Sequence, residues 1–152
     1  MSTHTQILYQ IIYSTKNRER TLTKENRKRL FAYMYETLQN KKCHLYRING
    51  VGDHLHIVTH LHPMQALAPL VKDLKLSATD LIKSERLFPH FTGWQVGYAA
   101  FTYAYAAKDN LIEYVKNQEE HHKKVSYEEE LKALLKEHGV EYDEKYLFEF
   151  YD

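Results

Sequence analysis

Apolar and polar positions follow two periods along this chain, and the switches between them mark its elements. Gln6 to Ser14 is rich in isoleucine and tyrosine and predicts a first strand, since β-branched and aromatic side chains fit a pleated surface. From Thr21 to Asn40, Leu30, Tyr33, Met34 and Leu38 recur at helical spacing and predict a long helix, with Thr23 near its start. Cys43 to Ile48 predicts a second strand. Asn49-Gly50-Val51-Gly52-Asp53 is a turn-rich bend, so the run that follows it should pair back as a hairpin. Pro63 ends that third strand. Gln65 to Leu87 is helical by pattern, with Pro69 tolerated in its first turn, and Phe88-Pro89-His90 breaks it. Trp94 to Tyr105 is aromatic and β-prone, a last strand or a strand pair interrupted by Gly97. Asn110 to His122 predicts a further helix. Ser126-Tyr127-Glu128-Glu129 has the form of a capping box opening a final helix that stops near Gly139, and Glu141 to Asp152 is an acidic, aromatic tail.

Up to Tyr105 the order is strand, helix, strand, strand, helix, strand. This predicts an α+β fold of the ferredoxin-like split βαβ type: an antiparallel sheet with helices on one face, plus C-terminal helices. With 152 residues, one domain is the simplest organisation, its core over about 5–122 and a C-terminal helix and tail over about 123–152. Such a sheet hosts many unrelated activities, so function must come from side chains.

Composition narrows the classes. At 43% apolar and 27% charged the chain is ordinary for a globular protein. No apolar run is long enough to span a membrane, and Met1-Ser2-Thr3-His4 lacks a signal-peptide layout, so a cytoplasmic protein with no membrane partner is expected. The single cysteine, Cys43, excludes a disulfide framework and a cysteine-based zinc site. The net charge of +1 hides an asymmetry. Residues 1–90 hold 14 Lys/Arg against 7 Asp/Glu, whereas residues 91–152 hold 7 against 13. The basic half, including Lys16, Arg18 and Arg20, could track phosphates or could be a solvated helix face.

Two short motifs carry the chemistry. In Asp53-His54-Leu55-His56-Ile57-Val58, strand alternation puts both imidazoles on one face and Leu55 and Ile57 on the other. In Leu111 to Gln118, Tyr114 and Gln118 stand four apart and share a helix face. Two imidazoles and an amide oxygen could hold a divalent ion beside a tyrosine hydroxyl, an arrangement suited to breaking a phosphodiester. Competing patterns exist. His60-Leu61-His62 repeats the first motif, so a zinc-binding structural protein using His54, His56, His60 and His62 is conceivable, as are rim histidines without a ligand. Tyr35 and Gln39 share the second spacing, and Tyr103 and Tyr105 lie on the last strand. Spacing alone does not choose among these tyrosines.

Nearly the whole chain resembles the single-tyrosine HUH (His-hydrophobic-His) transposases of the insertion sequence 200/605 family. The resemblance runs through Ile12-Tyr13-Ser14-Thr15-Lys16-Asn17-Arg18, Gly52-Asp53-His54-Leu55-His56-Ile57, Trp94-Gln95-Val96-Gly97-Tyr98 and Tyr114-Val115-Lys116-Asn117-Gln118-Glu119-Glu120-His121-His122. Val115 replaces the usual isoleucine, and the tyrosines near Phe101 to Tyr105 depart from the small residues common there. The resemblance implies His54, His56 and Gln118 as ligands of Mg²⁺ or Mn²⁺ and Tyr114 as a nucleophile that leaves a 5′-phosphotyrosine. Asp53 would orient an imidazole or simply form the turn, and Lys16, Arg18 and Arg20 would contact DNA. His121 and His122 would touch DNA or end a helix favourably. Single-stranded DNA with hairpins is the implied substrate. A homodimer is the implied working unit, with active sites shared in trans in some such dimers. Two other functions fit the same residues: a non-catalytic nucleic-acid-binding module, and a domesticated HUH nickase acting on host palindromes.

Overall fold

The computed structural model describes residues 2–144 and Leu147. Four strands form one antiparallel sheet: β1 (Leu8–Ser14), β2 (Leu45–Gly50), β3 (His54–His60) and β4 (Ala99–Tyr103), in the order β2-β3-β1-β4. This is the split βαβ order expected. Helix α1 (Lys24–Asn40) connects β1 to β2, and α2 (Leu67–Glu85) connects β3 to β4. Both lie on one face, where Leu30, Met34 and Leu74 bury against Ile11, Tyr13, Leu55 and Ile57. Three further helices follow: α3 (Lys108–Lys116), α4 (Gln118–His121) and α5 (Tyr127–Glu137).

The C-terminal helices cover the opposite face. Leu111 and Val115 of α3 pack on Leu8 and Val58, and Tyr127, Leu131, Leu134 and Leu135 of α5 pack on Ile12 and Phe101. Alternation along β1 and β3 therefore has two buried sides. One is apolar apart from Thr59, and the other mixes Leu8, Ile12 and Val58 with Gln10, Ser14, His54 and His56. A polar row sealed between a sheet and three helices must be satisfied internally.

Two local departures from the sequence pattern have visible causes. The last strand is short: Trp94 to Tyr98 makes only an isolated bridge between Thr15 and Trp94. There the Ser14 N–H donates to the Gln95 side-chain Oε1 at 2.7 Å, so a side chain replaces a ladder carbonyl. The helix predicted over Asn110 to His122 begins at Lys108 and breaks at Asn117, between α3 and α4. Asn49 Nδ2 of β2 donates to the Val115 and Lys116 carbonyls at 3.1 and 3.0 Å, satisfying the last turn of α3 from the sheet. Thr23 precedes α1 without a side-chain cap bond, whereas Ser126 caps α5, its Oγ accepting from Glu129 N at 3.1 Å.

Candidate active site

His54 and His56 are fully buried on the face of β3 that meets the C-terminal helices. Each ring is fixed from behind through Nδ1. His54 Nδ1 lies 2.7 Å from Asp53 Oδ1, and His56 Nδ1 lies 2.7 Å from Gln10 Oε1 on β1. A third ring, His122 just after α4, places Nδ1 2.6 Å from the Val125 carbonyl. These partners are acceptors, so each Nδ1 carries the proton and each Nε2 faces inward as a potential ligand. The inward atoms converge. His54 Nε2 and His122 Nε2 are 3.0 Å apart, and Glu130 Oε1 of α5 lies 3.0 Å from Nε2 of His56 and of His122 and 3.3 Å from that of His54.

Tyr114 and Gln118 close the chamber on the side of α3 and α4. The break at Asn117 falls between them, yet both reach the same carboxylate. The Tyr114 hydroxyl donates to Glu130 Oε2, and Gln118 Nε2 donates to that oxygen at 3.2 Å. Gln118 is fully buried, and its Oε1 has no hydrogen-bond partner. His121 Nε2 lies 3.3 Å from Glu130 Oε2.

The electrostatics follow from enclosure and pairing. Burial raises the Glu130 carboxyl, but hydrogen bonds from His122, His54 and His56 outweigh it and hold the group well below the usual carboxylate range. Burial opposes protonation of His54, while hydrogen bonds to Asp53 and Glu130 more than offset it, so its pKa rises. His56 shares the Glu130 contact but has the neutral Gln10 amide in place of a carboxylate at Nδ1, and burial pushes it down to about 4. Burial, then the negative charge of Glu130, drives the Tyr114 phenol upward. Asp53 stays below its ordinary value, because the pairing with His54 outweighs burial.

His54, His56, His122 and Glu130 could hold a metal ion, their ligand atoms lying within 4.8 Å of one another. The surroundings fit one. Three imidazoles are oriented through Nδ1, and the orphaned Gln118 Oε1 is a buried acceptor that lacks a donor or a cation. Imidazole-rich donors suit Mn²⁺ or another transition ion better than Mg²⁺.

The structure thus gathers His54, His56, Tyr114, Gln118 and Asp53 in one place. Tyr35 stands exposed on α1, which covers the other face. His60 Nδ1 accepts from Ile7 N, and His62 Nδ1 accepts from Met64 N; neither belongs to the cluster found among the described residues. Lys16 and Arg20 are exposed beyond the end of β1, and Arg18 lies 3.6 Å from Glu128 of α5. Sequence reasoning missed Gln10, Glu130 and the inward placing of His122. For His122 a signal existed: Tyr114, Gln118 and His122 stand four apart in succession. For Glu130 the signal was a carboxylate on the apolar face of α5, three residues after Tyr127 and four before Leu134.

The site thus sits in an antiparallel split βαβ sheet whose His-hydrophobic-His strand faces a tyrosine-bearing helix. The family model described as "Transposase IS200 like" matches residues 3–118, and the chain belongs to that family. Among solved structures it is similar to a candidate transposase from Deinococcus radiodurans R1, at 20% identity and a TM-score of 0.60, over 78% of this chain and 95% of that one. It is also similar to a REP-associated tyrosine transposase bound to a REP hairpin, at 12% identity and a TM-score of 0.57, over 82% of this chain and 76% of that one. At these identities the likeness shows the fold. No curated protein matches the sequence.

Proposed function

We propose that this transposase cuts and rejoins single-stranded DNA at hairpin-bearing element ends, with Tyr114 as the nucleophile. One observation carries the reading: the Tyr114 hydroxyl and the His54, His56 and His122 imidazoles converge on the same buried carboxylate, so nucleophile and ligand cluster share one chamber. His54, His56 and Gln118 would hold Mg²⁺ or Mn²⁺, with His122 as a further imidazole. A bound ion would polarise the scissile phosphate and offset the charge of the transition state.

The Tyr114 oxygen forms an ester with the phosphorus as the bond to the 3′ oxygen breaks. The phenolic proton passes to water, and the released 3′ oxygen takes one up from water, so the step is proton-neutral. The product is a 5′-phosphotyrosine and a free 3′-hydroxyl. Because the ester conserves the bond, a second DNA 3′-hydroxyl reverses the step without ATP. Burial, then the charge of Glu130, favours the protonated Tyr114 phenol in the resting site. Asp53 and Gln10 hold the rings of His54 and His56 in their ligating orientation.

Lys16, Arg18 and Arg20 follow β1 directly and are candidate phosphate contacts. A homodimer is part of the reading, since a C₂ pairing would cover an open sheet edge. Tyr114 reaches the His pair of its own chain, which supports assembly of each site in cis.

The test is incubation with end-labelled single-stranded hairpin DNA from the flanks of the gene, with Mn²⁺, followed by a denaturing protein gel. A covalent adduct carrying only the 3′-labelled fragment, absent with EDTA and in Tyr114→Phe, is the expected result. Binding without an adduct under any metal would replace this reading with a non-catalytic binding module.

A further inference from the structure

Glu130 has no task in the chemistry above, yet it stands at the centre of the chamber, only 3% exposed. Its two oxygens face two ways. Oε1 contacts the three imidazoles, and Oε2 accepts from Tyr114 and Gln118. A scissile phosphate attacked by Tyr114 must bring phosphorus to about 3–3.5 Å from the phenolic oxygen. It must also turn a non-bridging oxygen toward the ligand cluster. A carboxylate bridging the phenol and the imidazoles fills that same space. Its Oε1, 3.0–3.3 Å from the three imidazole nitrogens, stands where a non-bridging phosphate oxygen would approach the ligand cluster.

The neighbouring carboxylates behave in the same way. Glu128 of α5 lies 3.6 Å from Arg18, while Glu119 of α4 lies 3.2 Å from Lys24 and 3.3 Å from Arg27. The acidic C-terminal half thus lies against basic groups that suit a DNA backbone. The attachment of α5 is local. It packs on Ile12 and Phe101, and Tyr127 stacks on the His54 ring at 4.4 Å. Along its other flank a cleft lined by Tyr103, Leu111, Ala133 and Leu134 separates it from α3. The link Lys123–Ser126 between α4 and α5 forms neither helix nor strand.

We propose that α5 is a displaceable plug: Glu130 holds the place of the scissile phosphate, and the DNA strand enters the chamber only when α5 lifts about the 123–126 link. The proposal rests on Tyr114 being the nucleophile. It makes the resting enzyme self-inhibited, with DNA and α5 competing for one site.

The experiment uses the full chain and a single-stranded hairpin oligonucleotide with Mn²⁺. Affinity and initial cleavage rate are measured for wild type, Glu130→Ala and Leu135→Ala. Leu135 anchors α5 to the sheet away from the chamber. Hydrogen exchange of residues 127–137 is followed with and without DNA, with exchange in β1 and β3 as the control for folding. Glu130→Ala should bind and cleave about tenfold better, as expected if the open form is about one tenth of the wild-type population. Leu135→Ala should shift both in the same direction, and saturating DNA should strip protection from α5 in wild type. Slower cleavage by Glu130→Ala, or α5 still protected in a saturated wild-type complex that cleaves, would overturn the plug and leave the transposase reading intact. DNA binding by no form would sink both. If Glu130→Ala does not fold, Leu135→Ala and the wild-type exchange decide.

Discussion

His54 and His122 bring their Nε2 atoms to 3.0 Å, although each ring directs its Nδ1 proton to an oxygen acceptor. Two unprotonated nitrogens facing each other repel unless a proton or a cation lies between them. The carboxylate of Glu130 is compatible with protonated rings, and an ion with deprotonated ones. Metal and protons therefore compete for one set of nitrogens.

Mn²⁺ affinity should weaken as pH falls. His54, with its pKa raised above 6.5, must give up a proton to bind the ion, whereas His56, at about 4, is already neutral. Calorimetric titration at pH 8 and pH 6 should show this fall, accompanied by proton release. His122→Ala should weaken binding at both values, by about tenfold or more if the ring is a ligand. Unchanged affinity in His122→Ala would return that residue to the role of a helix end.

Tyr114→Phe should abolish the covalent adduct while leaving DNA binding in place, because only the hydroxyl is removed. It also takes one donor from the buried Glu130 carboxylate, so the apo variant should lose about 1–3 kcal/mol of stability in chemical denaturation. A residual adduct would transfer the nucleophile to another tyrosine.

Periodicity made the sheet and the His strand legible, because alternation places Leu55 and Ile57 opposite His54 and His56 whatever the tertiary context. The four-residue step from Tyr114 to Gln118 survived even the break at Asn117. The break itself was invisible locally, since it depends on Asn49 of β2 reaching the end of α3. Glu130 was legible only through its place on the apolar face of α5, between Tyr127 and Leu134. In Glu128-Glu129-Glu130 it looks like part of a solvated acidic turn, and only the docking of α5 on the sheet buries one member of the run. The shortened last strand depends on the Gln95 side chain, 81 positions from its partner Ser14.

Acid should unfold the apo protein through Glu130 in particular. Its carboxyl is held below its ordinary value of 4.5, as the imidazole hydrogen bonds outweigh the burial that raises it. Below that value the unfolded chain binds a proton that the native state does not, so this contribution to stability is present above about pH 4.5 and declines on acidification. The melting temperature of wild type in EDTA should drop more steeply between pH 5 and pH 3 than that of Glu130→Gln. Parallel curves would mean that the carboxylate is not held by the imidazoles in solution.

Gly50 tests how far the hairpin sets the site. A Cβ built there would lie 2.4 Å from the His54 carbonyl oxygen and 3.0 Å from Leu55 Cα, both backbone atoms that cannot swing aside. The same His54 carbonyl accepts from Val51 N at 3.1 Å, so relieving the clash opens the β2-β3 turn and moves His54. Gly50→Ala should cost about 1–3 kcal/mol in denaturant unfolding, in line with overpacking elsewhere, and should also weaken Mn²⁺ binding. Gly52→Ala is the control. Its Cβ would meet only Arg20, at 3.4 Å or more, so its stability should stay within about 0.5 kcal/mol of wild type and its metal affinity should not change. If both variants bound Mn²⁺ like wild type, the position of His54 would be set by β1 pairing, through Ser14 opposite it, rather than by the turn.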